Sequence, residues 1–331
     1  METKMRNSAF ELLRIVSMCL IVLYHIIFYS LPIIPNLQHQ LLLSAMLPTL
    51  HIGVILFCLI SGYFGIKSTW EGLISLLMVI FVYNLPFIIY SGLVHGSWIE
   101  RVMFITNTPY WFIRCYIYLY LVAPFINKAI NQLTIRERIG TLLAFGIVAM
   151  YFGSTQGDGA LEDGKNLVNF ILLYLVGNTL KITQERWSKV SFGLLGCAYI
   201  VMNVSLILSL YFTSNSSVHE VIMNLSFPYR SPLLLLNAVI VFMMFGKIRL
   251  SSRFINAIAT SMFAVYIIHC QPTIRNLFLM RGVHYFLDLG GLLIYTCIII
   301  MVCILIDKAM IPYWNVQNKF INKLCRNKML Y

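Results

Sequence analysis

A chain of 331 residues is long enough for two ordinary soluble domains, but 60 % of it is hydrophobic, only 11 % is charged, and its mean hydropathy is +0.82. A soluble domain carries roughly 25 % charged residues, so a soluble globule, a disordered chain, a disulfide scaffold and a nucleic-acid module do not fit. The net charge of +12 is spread in small groups between apolar runs rather than gathered on one helix face, as the positive-inside bias places it in a polytopic membrane protein.

The predicted architecture is an all-α transmembrane bundle. Crossing the hydrocarbon takes about 20 apolar residues, and about ten stretches qualify: 10–29, 41–64, 72–93, 110–127, 139–152, 167–180, 190–212, 232–246, 254–271 and 289–306. The fifth, sixth and eighth are short enough to be tilted, broken or re-entrant. With the N-terminus in the cytoplasm, the inner segments hold 17 of the 24 Lys and Arg and the outer loops hold 5; Arg14 and Arg114 fall inside spans. Both termini are therefore expected in the cytoplasm of a plasma (inner) membrane protein. Residues 1–331 read as one integral membrane domain with a basic tail from about 307. Trp70, Trp98, Trp111, Trp187 and Trp314 fall near span ends, where indole rings favour the interface. The first apolar run lacks a cleavage pattern and reads as a retained span. The eight cysteines include no Cys-x-x-Cys pair, so neither a zinc site nor a disulfide framework is predicted.

Ionisable groups inside spans cost roughly 2.5–3.5 kcal/mol each on insertion scales. The first span has three: Glu11, Arg14 and His25. At 100° per residue Arg14 and His25 return to within about 20° of one face, about 16 Å apart along the axis, with Glu11 on the same stripe. Glu11 and Arg14 suit an i,i+3 pair at the cytoplasmic interface; His25 suits either a buried histidine satisfied by a neighbour or a functional group. Arg114 in span four and His269 near the outer end of span nine reach similar depth. Each also suits a purely interfacial role. His51, midway along span two, is a further candidate, although a structural role suits it better. Ser61 and Gly62 close span two and allow a helix or a ligand to approach the backbone. No serine-hydrolase elbow, Walker sequence or His-Glu-x-x-His pair occurs.

Four segments in order resemble acyltransferase family 3, the membrane polysaccharide O-acyltransferases. They are Arg6-Asn7-Ser8-Ala9-Phe10-Glu11-Leu12-Leu13-Arg14 running to Tyr24-His25, then Phe57 to Phe64 with Ser61-Gly62-Tyr63, then Tyr110-Trp111-Phe112 to Tyr120 with Pro124, and finally Ser261 to His269 with Tyr266. The resemblance implies a ten-span core, a cytoplasmic acyl-CoA co-substrate, usually acetyl-CoA, and a sugar hydroxyl of a surface or lipid-linked polysaccharide as acceptor across the membrane. No tightly bound cofactor or metal is implied.

The family's histidine carries over to His25, as base or as transiently acylated nucleophile, and its arginine to Arg14. Many members also have an Arg-x-x-Arg pair after the Ser-Gly segment, where this chain offers only Lys67, then Glu71. Donor binding is accordingly expected from Arg14, Glu11 and Lys67, and acceptor binding from Arg114, His269, Tyr266 and Trp111, with Tyr24 and Tyr110 beside them. A carrier or flippase of lipid-linked sugars remains the competing class, separable by whether acetyl-CoA is consumed.

Overall fold

The computed structural model describes residues 7–96, 110–154, 162–277 and 286–325. Lys4, Arg6, Trp98, Arg101, Arg281, Arg326, Lys328 and, in the acidic loop at 153–166, residues 155–161 with Asp158 lie outside these residues. Helices occupy all ten apolar stretches, and the described residues contain no strand. Among the described residues six spans are long and apolar enough to cross a membrane: Ala9–Ile33, Leu37–Phe64, Trp70–Val94, Phe192–Phe212, Arg253–Cys270 and Leu289–Ala309. Leu167–Ile182 and Pro232–Gly246 are shorter apolar helices.

The first helix, α1 (Ala9–Ser30), is the hub. It packs on α2 (Leu37–Leu50) and α3 (Ile52–Phe64), and further along the chain on α10 (Pro232–Gly246), α11 (Arg253–Ala259), α12 (Met262–Cys270) and α13 (Leu289–Ala309). Its start is clipped to the α10–α11 loop. The Ser8 amide donates to the Leu250 carbonyl at 2.6 Å, Asn7 Nδ2 donates to the Ile248 carbonyl at 3.1 Å, and the Ser252 amide donates to Ser8 Oγ at 3.0 Å. These bonds absorb amides that a helix end leaves unpaired.

Two predicted spans are each two helices. α2 runs past Pro48 and stops at Leu50, and α3 starts at Ile52, so His51 stands at the junction. The span from Arg253 breaks at Thr260–Ser261, between α11 and α12. Pro86, by contrast, sits within a continuous α4 (Trp70–His95).

The tightest crossing is α3 against α7 (Leu167–Ile182). A methyl group on Gly62 would fall on the backbone of Tyr174, and one on Gly177 on the backbone of Leu59. Small residues are what allow two such helices to touch along their main chains. The neighbouring Tyr63 hydroxyl donates to Gln184 Oε1 at 2.9 Å. Around this core lie α5 (Trp111–Gln132), α6 (Ile135–Ser154) and α8 (Phe192–Phe212), with the short α9 (Ser217–Ser226) before α10. Arg138 ties α5, α6 and α7 together, donating to the carbonyls of Ile130 and Leu133 and to Asn178 Oδ1.

Past residue 307 the chain is not a plain tail. Ile311–Cys325 forms α14, which packs on α4. Trp314 lies 5.6 Å from Tyr83, whose hydroxyl donates to Asp307 Oδ1 at 2.6 Å.

Candidate active site

The stripe read from the first span lines two cavities in succession. Arg14, Met18 and Ile21 of α1 line the larger one, of about 320 Å³. It is completed by Phe57 and Ser61 of α3, Leu76 of α4, Phe112 and Tyr116 of α5, and the broken span from Ala259 through Thr260 and Met262 to Tyr266. Small-molecule pockets start near this volume. Ile21, Tyr24 and His25 line the second, of only about 30 Å³, with Leu50, His51, Val54, Trp111, Tyr229 and Tyr266. That is room for one water or one hydroxyl. Ile21 and Tyr266 belong to both and form the wall between them. Each broken span supplies its break to one cavity: Thr260 to the larger, His51 to the smaller.

In the larger cavity Arg14 Nη1 pairs with Glu11 Oε2 at 2.6 Å. The carboxylate fixes one edge of the guanidinium and leaves further N–H groups to serve a ligand. Ser61 faces the cavity while Gly62 turns to α7, so the two neighbours do different work. Lys67 is exposed and is not among the lining residues. Another of the inner cations meets a residue of the cavity lining: Lys308 Nζ donates to Thr260 Oγ1 at 3.1 Å and to the Ala257 carbonyl at 2.7 Å. It holds the break that forms the cavity wall.

In the smaller cavity His25 Nδ1 lies 3.0 Å from His269 Nε2. The partner ring is fully buried, and its Nδ1 lies 2.7 Å from the Val265 carbonyl one turn back on α12. His269 therefore sits behind His25 with both nitrogens engaged, rather than on the cavity wall as an acceptor group. Cys270 Sγ is 3.4 Å from the same Nε2. The three potential metal-ligating atoms of His25, His269 and Cys270 lie within 4.8 Å of one another, a grouping the spacing of Arg14 and His25 gave no sign of.

Aromatic rings make up most of the remaining wall. His51 donates its Nδ1 proton to the Phe227 carbonyl at 2.7 Å. Tyr24 stacks on it at 4.6 Å, and Tyr229 meets it at 4.0 Å. Trp111 is 4.9 Å from Tyr229. Tyr229 is held by its backbone: its amide donates to the Asp163 carbonyl at 2.8 Å, and its carbonyl accepts from Asn169 Nδ2 at 3.2 Å. Gly164, at φ 76°, allows that approach, since a side chain there would meet the Arg230 amide.

Of the predicted acceptor residues, Trp111 and Tyr266 join His25 at this cavity. Arg114 is among the lining residues of neither cavity. Tyr110 is buried, with its hydroxyl donating to Asn84 Oδ1 at 3.0 Å. His51, a further candidate that the sequence favoured as structural, lines this cavity, and Tyr229 was not anticipated there. A lone loop tyrosine carries no signal of such a place.

A family model described as an acyltransferase domain matches residues 7–308. The chain belongs to acyltransferase family 3. No curated protein and no solved structure matches it. The match takes in α1 with Glu11, Arg14 and His25, both breaks, and α12 with His269, so both cavities lie within the acyltransferase region of this membrane protein.

Proposed function

We propose that this protein is a membrane O-acyltransferase that moves an acyl group, chiefly acetyl, from cytoplasmic acyl-CoA to a hydroxyl of a surface or lipid-linked polysaccharide. The observation that carries this reading is the pair of cavities meeting at Ile21 and Tyr266, with a guanidinium in one and an imidazole in the other. Both termini lie in the cytoplasm and about ten spans cross the membrane. Arg14 and Lys308 serve the donor's phosphates, in place of the family's missing Arg-x-x-Arg pair, and the larger cavity takes the arm that carries the thioester. His25 is the base. The acceptor hydroxyl attacks the thioester carbonyl carbon as its proton moves to the imidazole. The carbon–sulfur bond then breaks, and the proton leaves with the thiol.

Sealed membrane vesicles test the reading. Inverted vesicles, which present the cytoplasmic face, are given radiolabelled acetyl-CoA. Label should appear in ester linkage on luminal glycan, and right-side-out vesicles should give none. His25→Ala should lower the rate by about 10²–10⁴-fold. Label transfer from the opposite face would overturn the orientation. Glycan translocation without consumption of acetyl-CoA would make the protein a flippase.

A further inference from the structure

We propose that His269 is a positioning residue that sets which nitrogen of His25 is the base. The inference rests on the reading of His25 as the catalytic base. A backbone carbonyl only accepts, so the 2.7 Å contact with Val265 requires the proton on His269 Nδ1. In a neutral ring that leaves a lone pair on His269 Nε2. The nitrogen 3.0 Å away, His25 Nδ1, then carries the proton of the hydrogen bond between the rings. The His25 lone pair is therefore on Nε2. The direction of the chain is fixed at its far end by main chain, which does not titrate.

The arrangement does for His25 what a carboxylate does for the histidine of a catalytic triad, holding tautomer and ring orientation. A neutral imidazole suits this place better. His269 is fully buried, where an anion is costly to keep. The chain also spreads charge at the moment of reaction. As the acceptor hydroxyl's proton reaches His25 Nε2, the Nδ1 proton is drawn toward His269 Nε2, and the His269 Nδ1 proton is held harder by the Val265 carbonyl. When the thiolate leaves and takes the proton, both rings return to their starting state. Cys270 Sγ, at 3.4 Å, is the weaker competitor for the same lone pair.

The test compares variants of the full-length protein in vesicles, each checked for folding. Glutamine at 269 places an amide oxygen near the Nε2 position, where it accepts from His25. Asparagine still reaches the Val265 carbonyl but stops short of His25, and alanine does neither. His269→Ala and His269→Asn should lower turnover by about 100-fold with KM for acetyl-CoA unchanged, while His269→Gln recovers to within about tenfold of the native rate. His269→Ala with native turnover overturns the proposal, as does a folded His269→Gln no better than His269→Asn. Stoichiometric zinc in the purified protein that is lost with His269→Ala also overturns it, because the metal then holds the lone pair. If His25→Ala keeps its activity, the reading of His25 fails and this proposal with it; an inactive His25→Ala beside an unaffected His269→Ala overturns the proposal alone.

Discussion

Arg14 and Glu11 stand one helical turn apart on α1, joined at 2.6 Å, with the carboxylate buried and the guanidinium facing the larger cavity. Removing the arginine leaves a buried carboxylate without this partner, so the carboxylate is neutralised alongside it in the cleanest comparison. Binding of desulfo-CoA, an inert donor mimic, to purified protein should weaken at least tenfold in Arg14→Ala and in Glu11→Gln/Arg14→Ala, since a hydrogen bond to a charged group contributes about 1.5–3 kcal/mol. Arg14→Lys should recover only part, having lost the planar fork. Lys308→Ala should weaken the same binding, whereas Lys67→Ala should not. Native affinity in both Arg14→Ala and Lys308→Ala would put the donor elsewhere.

The aromatic wall at His25 is expected to recognise the acceptor. Trp111→Ala and Tyr229→Ala remove rings that shape the slot into which a single acceptor hydroxyl fits. Each should raise KM for the glycan severalfold and leave desulfo-CoA binding unchanged. A donor-binding defect in both variants would place the small cavity on the donor's path.

Gly62 carries a stability prediction. A methyl there meets main-chain atoms of Tyr174 on α7, which cannot swing aside as a side chain can. Gly62→Ala should cost about 1–3 kcal/mol by overpacking, read as a lower thermal midpoint in detergent. Gly193→Ala on α8 has open space around it and serves as the control with an unchanged midpoint. Equal midpoints would mean that α3 and α7 separate at little cost.

Much of the fold was legible because helices announce themselves by apolar length. The stretch at 232–246 is a helix with those same bounds. The stripe of Arg14 and His25 was legible too, since the helical period alone places them on one face. What stayed hidden was rotation about the helix axis. Depth put His269 beside His25, but only packing of α12 on α1 and α13 decides that its ring lies behind the other histidine. Arg114, three residues after Trp111, shares its helix but is not among the residues that line either cavity. The α14 helix was readable in principle. Trp314, Gln317, Ile321 and Cys325 recur at helical spacing and bury one face, but the basic residues around them read as a tail. The Thr260–Ser261 break has no proline or glycine to mark it.

The wall formed by Ile21 and Tyr266 has a consequence for the cell as a whole. A protein that takes one substrate from each side of a bilayer is at constant risk of becoming a proton leak, and each charge that slips across dissipates about 2.3 kcal/mol per 100 mV of membrane potential. One aliphatic and one aromatic side chain line both the cavity of Arg14 and that of His25, and they offer little to hold a file of water between the two. On the function proposed above, the thioester arm displaces that wall and fills the path as it opens it.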